Sequence, residues 1–480
     1  MKLKDLLAGL DIVASTANTD IEMSGISYDS RKTAPGEIFV AIRGYESDGH
    51  RYIADAVAKG AVCVLCENIP ECDVPYIIIE NSRKGLAVIS ANWFHNPAAE
   101  MKIIGVTGTN GKTTTTHLIK TIIETCTGAM TGLIGTNHNI IGDKVLYTEH
   151  STPESFELQY LFREMADAGC KYAVMEVTSH SLVLDRVYGI TFDVGMFLNL
   201  TQDHLDFHNT MEEYAAAKAL LFSKSKLGII NIDDEYAQVM IDAATCPIYT
   251  FSADKDVADL VAKSIKLYPD KVEFCVLTIG VLERAELAIP GMFSVYNGLA
   301  AIAVALGIGI GLDDAINALQ SCNGVMGRAE VVPTSRDFTI LIDYAHSPDA
   351  LKNILTMARE ITAGRVVTLF GCGGDRDKTK RPLMGGIVAE LSDFMIVTTD
   401  NPRTEDPAGI IEDILAGLES IQTPYVVIEN RREAIGWAIQ NAQTDDVIIL
   451  AGKGHETYQI IGKERTHFDE REIVAEFLKN

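Results

Sequence analysis

The chain has 480 residues, which at roughly 100 to 200 residues per domain makes two to four domains and excludes a peptide hormone or a disulfide-stapled miniprotein. Apolar residues make up 47% and charged residues 22%, the usage of a folded globular protein rather than a disordered one. Lysine and arginine total 41 against 66 aspartate and glutamate, and a net charge of −25 repels nucleic acid and anionic membranes, so a phosphate-bearing ligand must be held by a local concentration of donors.

The N-terminal stretch MKLKDLLAGL carries Asp5 and lacks a long apolar core, and no run approaches the ~18 apolar residues of a membrane span. The expectation is a cytoplasmic protein with no membrane insertion and no nucleic-acid partner. Residues 1–97 hold short strands (GEIFVAI, AVCVLC, PYIIIE) and end in HNPAAE, where Pro97 and its polar flank suit a linker. Cys63 and Cys66 form a C-x-x-C inside AVCVLCE, which reads as a buried strand. Core thiols are therefore expected there, not a metal or redox pair.

A second segment, residues 98–329, opens on the β-branched run KIIGVTG and continues with strand patches AVMEV, VGMFLNL and GIINI. These alternate with helical stretches such as MEEYAAAKALLF, the rhythm of an α/β fold around a mostly parallel sheet. A third, residues 330–480, begins just before TILIDYAH. Its strands RVVTLF, FMIVTT and DVIILA run straight into the loops GCGGDRDK, DNPRTEDP and GKGHET. Ligands of open parallel sheets bind beyond the carboxyl ends of the strands, so these three loops are expected to converge on one crevice.

The sharpest signal is IIGVTGTNGKTTTTHLIKTII, in which a strand runs through a Gly-rich loop into an amphipathic helix opened by Lys112 and Thr113. Backbone N–H groups from Gly108 to Thr114 (Thr109, Asn110 and Gly111 between them) and the helix N-terminus can cradle phosphates. Lys112 supplies a point charge, and the Thr113 hydroxyl can reach Mg²⁺. The glycines fall at 105, 108 and 111, a variant of the commoner spacing, whose first Gly would replace Val106. With no N-K-x-D guanine-reading motif, ATP is the expected nucleotide.

TGTNGKTT at 107–114, with MEVTSH, NLTQDHLDFH, AAAK and DYAHSPDAL, closely resembles the Mur ligases, the ATP-dependent amide-forming enzymes of peptidoglycan precursor synthesis. The resemblance runs from YDSRK near residue 30 to HFDERE near 470. It implies three domains: a small N-terminal α/β domain for a uridine nucleotide, a central P-loop ATPase domain, and a C-terminal Rossmann-like domain for the incoming amino acid. GCGGDRDKTKRP, DNPR and AGKGHE are most similar to members that add the third residue of the stem peptide. The implied reaction passes the γ-phosphoryl of ATP to the D-Glu carboxylate of UDP-MurNAc-L-Ala-D-Glu, and the amine of a diamino acid attacks the acyl phosphate. Positioning and charge neutralisation are then most of the catalysis.

By the same resemblance Lys112 bridges the β- and γ-phosphates, and Thr113, Glu176, His204 and Lys218 hold Mg²⁺, Lys218 as a carbamate. By residue pattern alone, His204 is a surface or core histidine and Lys218 a solvated lysine on an Ala-rich helix. Asn297, Arg328 and Asp343 match nucleotide-side residues; taken plainly they are a helix cap, a surface arginine and a strand-end turn. Ser30 and Tyr45, Glu46 and Ser47, with Ser151, Thr152, Thr178 and Arg186, match the uridine-substrate residues, while His150 and Leu184 stand where some relatives carry amides. Arg376, Asp400, Asn401, Pro402 and Arg403 resemble the motif of meso-diaminopimelate-adding members, joined by Gly452 and Glu456. The physics agrees, because diaminopimelate carries a second carboxylate that lysine lacks and Arg403 offers it a planar fork. The partners are thus small-molecule substrates, and the expected state is a monomer. Addition of L-lysine, a folylpolyglutamate synthetase and a catalytically silent nucleotide-binding scaffold are the rival readings.

Overall fold

The structure, a computed structural model, describes every residue except 45, 46, 149, 323, 419–421 and 480. Tyr45 and Glu46 of the expected uridine site lie outside the described residues. The chain forms two compact units, Met1–Asp259 with Ala303–Ile310, and Leu260–Ile302 with Gly311–Asn480.

The first unit opens with a five-stranded sheet in the order Ala14–Ser15, Tyr76–Ile78, Cys63–Cys66, Glu37–Val40, Gly25–Ser27, parallel except at its first edge. Side chains alternate across a strand, so one face sends Ile38, Val40, Cys63, Leu65 and Ile77 against Leu86 and Ile89 of helix Ser82–Trp93. The other packs Phe39, Val64, Cys66 and Ile78 on Ile53 and Ala56. Cys63 and Cys66 therefore belong to opposite faces. Burial pushes their thiols up to about 12 and about 11, as inert core residues require.

Strand Lys102–Thr107 is central to the larger sheet of this unit, with Tyr172–Glu176 and Val194–Phe197 parallel on its two sides. Both faces are covered, which is why these strands read as near-continuous apolar runs. The register sets Val106 beside Glu176 and Met196, so the three strands end level, and the phosphate loop, Glu176 and Asn199 emerge on one edge. Helix Lys112–Thr127 packs back through Thr115, Leu118, Ile119, Ile122 and Ile123, a stripe at the helical period.

The second unit contains an antiparallel ladder of Leu260–Leu267, Val272–Thr278 and Val281–Leu287. It also holds a six-stranded sheet in the order Glu330–Val332, Thr339–Asp343, Val447–Ala451, Val366–Phe370, Phe394–Val397, Tyr425–Val427, parallel except at its first edge. The insertion of Val447–Ala451 between Thr339–Asp343 and Val366–Phe370 makes a topological switch point, where such sheets open a crevice. Among the described residues no helix is long and apolar enough to cross a membrane.

Candidate functional site

The phosphate loop is shaped before any ligand arrives. Gly111 takes φ +84, a left-handed conformation that costs glycine nothing, and the helix starts at the next residue. Asn199, at the end of the neighbouring strand, clamps the loop: its Oδ1 accepts from Asn110 N (2.9 Å) and its carbonyl from Thr109 N (2.9 Å). Lys112 Nζ donates to the carbonyls of Gly108 (2.8 Å) and Thr109 (2.9 Å), so its charge sits over the loop.

Lys218 is buried, contrary to the solvated lysine that its Ala-rich helix suggests. The helix Met211–Ala219 turns Tyr214, Ala215, Ala217 and Lys218 inward, and the lysine Nζ donates to Gly108 O (3.0 Å) and lies 4.5 Å from the Tyr214 ring centroid. Desolvation, and then the nearby Lys112 cation, hold its ammonium well below the ordinary lysine range.

Glu176, 1% exposed, closes its strand with its carboxylate bonded to threonines: Oε1 accepts from Thr113 Oγ1 (2.9 Å) and Thr136 N (2.8 Å), Oε2 from Thr136 Oγ1 (2.9 Å). Sequence reading missed Thr136; the signal was its place two residues beyond Ile134, which pairs with Met175, the neighbour of Glu176. His204 belongs to a neighbouring group. It holds a left-handed φ of +53, its ring lies 4.9 Å from that of His180 and 6.0 Å from that of Tyr214, and its side chain is 46% exposed. Tyr214 links the groups, since its hydroxyl is 3.3 Å from Thr109 Oγ1.

Four of the expected uridine-substrate residues gather at the same edge. Thr152 Oγ1 donates to Glu176 O (2.8 Å), Thr178 caps helix Ser179–Val183 by accepting from Ser181 N (3.2 Å), Ser151 Oγ is 2.7 Å from Thr136 Oγ1, and Arg186 donates to Thr152 O (3.0 Å). Glu154 and Arg83, not foreseen, hold this group to the N-terminal sheet region. Glu154 Oε2 pairs with Arg83 (3.1 Å) and Arg186 (3.4 Å), and Arg83 Nε donates to Arg43 O (3.0 Å). Ser30 is buried and Ser47 donates to the Tyr52 hydroxyl (3.3 Å); among the described residues no hydrogen bond joins either to this group.

In the second unit the three strand-end loops converge as expected, on a cavity of about 540 Å³ lined by Gly373, Arg376, Asp400, Asn401, Arg403, Gly452 and Glu456. Gly452 has φ +113, and a Cβ there would stand 2.6 Å from Asp400 Oδ2, so only glycine lets the two loops meet. Arg403 donates through Nη1 to Gly374 O (2.9 Å), which ties down one arm of its fork; Arg376 is exposed at the rim, and Pro402 is buried. Two buried cations missed from the sequence brace the loops. Arg381, 1% exposed, binds Glu405 (2.8 Å) and Asp413 (2.8 Å), while Lys453, 0% exposed, binds Asn401 Oδ1 (3.1 Å) and Glu456 Oε2 (3.2 Å). Asn297 is a buried residue inside helix Met292–Gly307, not a cap. Asp343 accepts from Ala329 N (2.7 Å) and Ala345 N (2.8 Å), and the Arg328 guanidinium lies 5.3 Å from the Tyr344 ring centroid, so the turn after Asp343 and the Arg328 segment are tied together.

Known proteins align with the whole chain. Residues 22–108 match the model "Mur ligase family, catalytic domain", 106–305 the "Mur ligase middle domain" and 327–454 the "Mur ligase, glutamate ligase domain". A UDP-N-acetylmuramoyl-L-alanyl-D-glutamate--2,6-diaminopimelate ligase of Caldanaerobacter subterraneus subsp. tengcongensis is 49% identical over 481 residues, covering 100% of this chain and 99% of the relative. A solved structure of a ligase with the same name superimposes with a TM-score of 0.74 at 31% identity, covering 100% of this chain and 99% of the other. The fold is also that of a Thermotoga maritima MurF ligase solved in complex with ADP, with a TM-score of 0.61 at 19% identity over 95% of this chain and 96% of that one. With three family domains in order and a relative nearly half identical from end to end, the chain belongs to the Mur ligase family.

Proposed function

We propose that the chain is an ATP-dependent acid–amino-acid ligase that joins meso-2,6-diaminopimelate to the D-Glu carboxylate of UDP-MurNAc-L-Ala-D-Glu through an acyl phosphate, in peptidoglycan precursor synthesis. The observation that carries this reading is the crevice of the second unit, where Arg403 and Glu456 set opposite charges on one cavity. Diaminopimelate brings a carboxylate and an ammonium at its distal end, whereas L-lysine would leave the guanidinium without a partner. Full-length likeness to ligases named for that substrate supports it.

In the first unit the loop N–H groups of Gly108 to Thr114 and the Lys112 ammonium would hold the phosphates of ATP, while Ser30, the Tyr45 to Ser47 loop, Ser151, Thr152, Thr178 and Arg186 would take the uridine substrate. The donor set suits Mg²⁺: the Thr113 hydroxyl and the buried Glu176 carboxylate are hard oxygens 2.9 Å apart. Thr113, Glu176, His204 and Lys218 as its carbamate would hold the ion, and when bound it neutralises charge on the phosphoryl group. A buried lysine with a weakened hold on its proton has a neutral amine available to CO₂, and the product exchanges a cation for two ligand oxygens. Asn297, Arg328 and Asp343 we assign to the nucleotide. The domain limits 1–97, 98–329 and 330–480, a cytoplasmic location and a monomeric state complete the proposal.

The test is ADP release from purified protein given ATP, Mg²⁺ and UDP-MurNAc-L-Ala-D-Glu, with meso-diaminopimelate or L-lysine. Turnover with diaminopimelate alone is expected. Turnover with lysine would keep the ligase and change its amino acid, and silence in both with ATP still bound would leave the scaffold.

A further inference from the structure

We infer that Lys453 is a positioning residue for the incoming diamino acid: it fixes Glu456 so that one carboxylate oxygen is committed to the protein and the other is turned to the substrate ammonium. This rests on the diaminopimelate reading above. Lys453 is 0% exposed, an uncommon place for an ammonium unless it is paired, and its Nζ reaches two side chains, Glu456 Oε2 at 3.2 Å and Asn401 Oδ1 at 3.1 Å. Asn401 closes the triangle by donating from Nδ2 to the same Glu456 Oε2 at 2.9 Å. Both donors therefore land on one oxygen of Glu456. Among the described residues no hydrogen bond to Oε1 is recorded, and Glu456 lines the cavity between the strand-end loops.

The arrangement also explains why the asparagine is held. Its Oδ1 accepts from Lys453 Nζ and from Ile460 N (3.0 Å), and its Nδ2 is engaged with Glu456, so the carboxamide is spent on bracing the loop. Rings of Tyr458 and Phe468 each lie 5.8 Å from the lysine Nζ and keep the cation in place. A rotatable glutamate on a loop would lose side-chain entropy on capturing an ammonium. Lys453 and Asn401 remove that freedom in advance, which is preorganisation of a specificity residue.

The test uses the full-length enzyme and the variant Lys453→Met, similar in length and free of charge. Diaminopimelate is compared with 2-aminopimelate, which keeps the reacting amine and the distal carboxylate but has no distal ammonium. We expect the KM for diaminopimelate to rise tenfold or more, with kcat, the KM for UDP-MurNAc-L-Ala-D-Glu and the inhibition constant of 2-aminopimelate all within about twofold of wild type. An equal loss for both amino acids, or an unchanged KM for diaminopimelate, would overturn the positioning role. Should Lys453→Met not fold, Lys453→Gln, which keeps a polar group in the pocket but cannot give Glu456 a charge-assisted bond, must give the same split between the two compounds. Wild-type enzyme that fails to turn over diaminopimelate would overturn the functional reading itself, and is seen before any variant is made.

Discussion

Lys112 and Lys218 donate to the same carbonyl oxygen, that of Gly108, at 2.8 and 3.0 Å. Desolvation of the fully enclosed Lys218, and then the nearby Lys112 cation, hold its ammonium well below the ordinary lysine range. Lys218→Arg, which keeps a permanent cation and cannot form a carbamate, should lower kcat by about 100-fold or more, the scale of losing an oriented electrostatic partner of the reaction, while ATP binding persists. Steady-state kinetics and nucleotide titration on the same preparation check this; an active arginine variant would remove the carbamate from the mechanism.

Among the described residues Thr136 gives the Glu176 carboxylate two of the three hydrogen bonds it accepts. Thr136→Val keeps the shape and the backbone N–H but removes one donor. Supporting partners of metal ligands are worth about 10-fold to 100-fold in metal affinity, so the Mg²⁺ concentration for half-maximal rate should rise about tenfold with the fold intact. The thermal unfolding temperature should fall modestly, since a hydrogen bond to a carboxylate contributes about 1.5–3 kcal/mol.

Arg403 is held through Nη1 by Gly374 O and lines the cavity. Arg403→Ala should raise the KM for diaminopimelate by about 10-fold to 100-fold, the worth of a charge-assisted pair of about 1.5–3 kcal/mol, and should erase its advantage over L-lysine. Competition between the two amino acids in one reaction, resolved by mass, reads this directly.

Arg431 and Glu470 form an ion pair of 2.8 Å with both side chains 0% exposed. Glu470→Ala would leave the guanidinium buried with, among the described residues, Ala451 O (2.9 Å) as its remaining acceptor, and should destabilise the second unit by about 3–5 kcal/mol. Denaturant unfolding followed through Trp437, which packs in the same core as Val474, measures it.

Glu405 is hydrogen-bonded by Arg381, Lys378 and Asp375 N, and these donors hold its carboxyl at about 2, below its ordinary 4.5. A carboxyl with a depressed pKa contributes stability that is full above about pH 4.5 and fades as pH falls toward 2. Glu405→Gln should therefore lower the melting temperature at pH 7, and its difference from wild type should narrow as the pH drops through that window. A gap that is constant from pH 7 to 2 would mean that the charge of Glu405 is not what braces the loop.

The pieces whose chemistry is local are legible in the chain alone. The apolar run of Lys102–Thr107 followed by glycines and Lys112 specifies a phosphate loop, because strand, left-handed turn and helix N-terminus are adjacent in the chain. Likewise the loops after Val366–Phe370, Phe394–Val397 and Val447–Ala451 could be assigned to one crevice, since parallel strands present the same ends on the same side. Tertiary structure decided which residues support them. Lys218 reads as solvated among alanines until the helix is turned inward, Thr136, Glu154 and Arg83 carry no motif that a linear reading would mark, and Arg381 and Lys453 sit within GCGGDRDKTKRP and AGKGHE with nothing in the pattern to mark them as buried braces. Their roles come from burial and from partners brought close by strand register and helix rotation. These side chains are charged or polar, and the partners that the fold places within hydrogen-bond reach set what each one does.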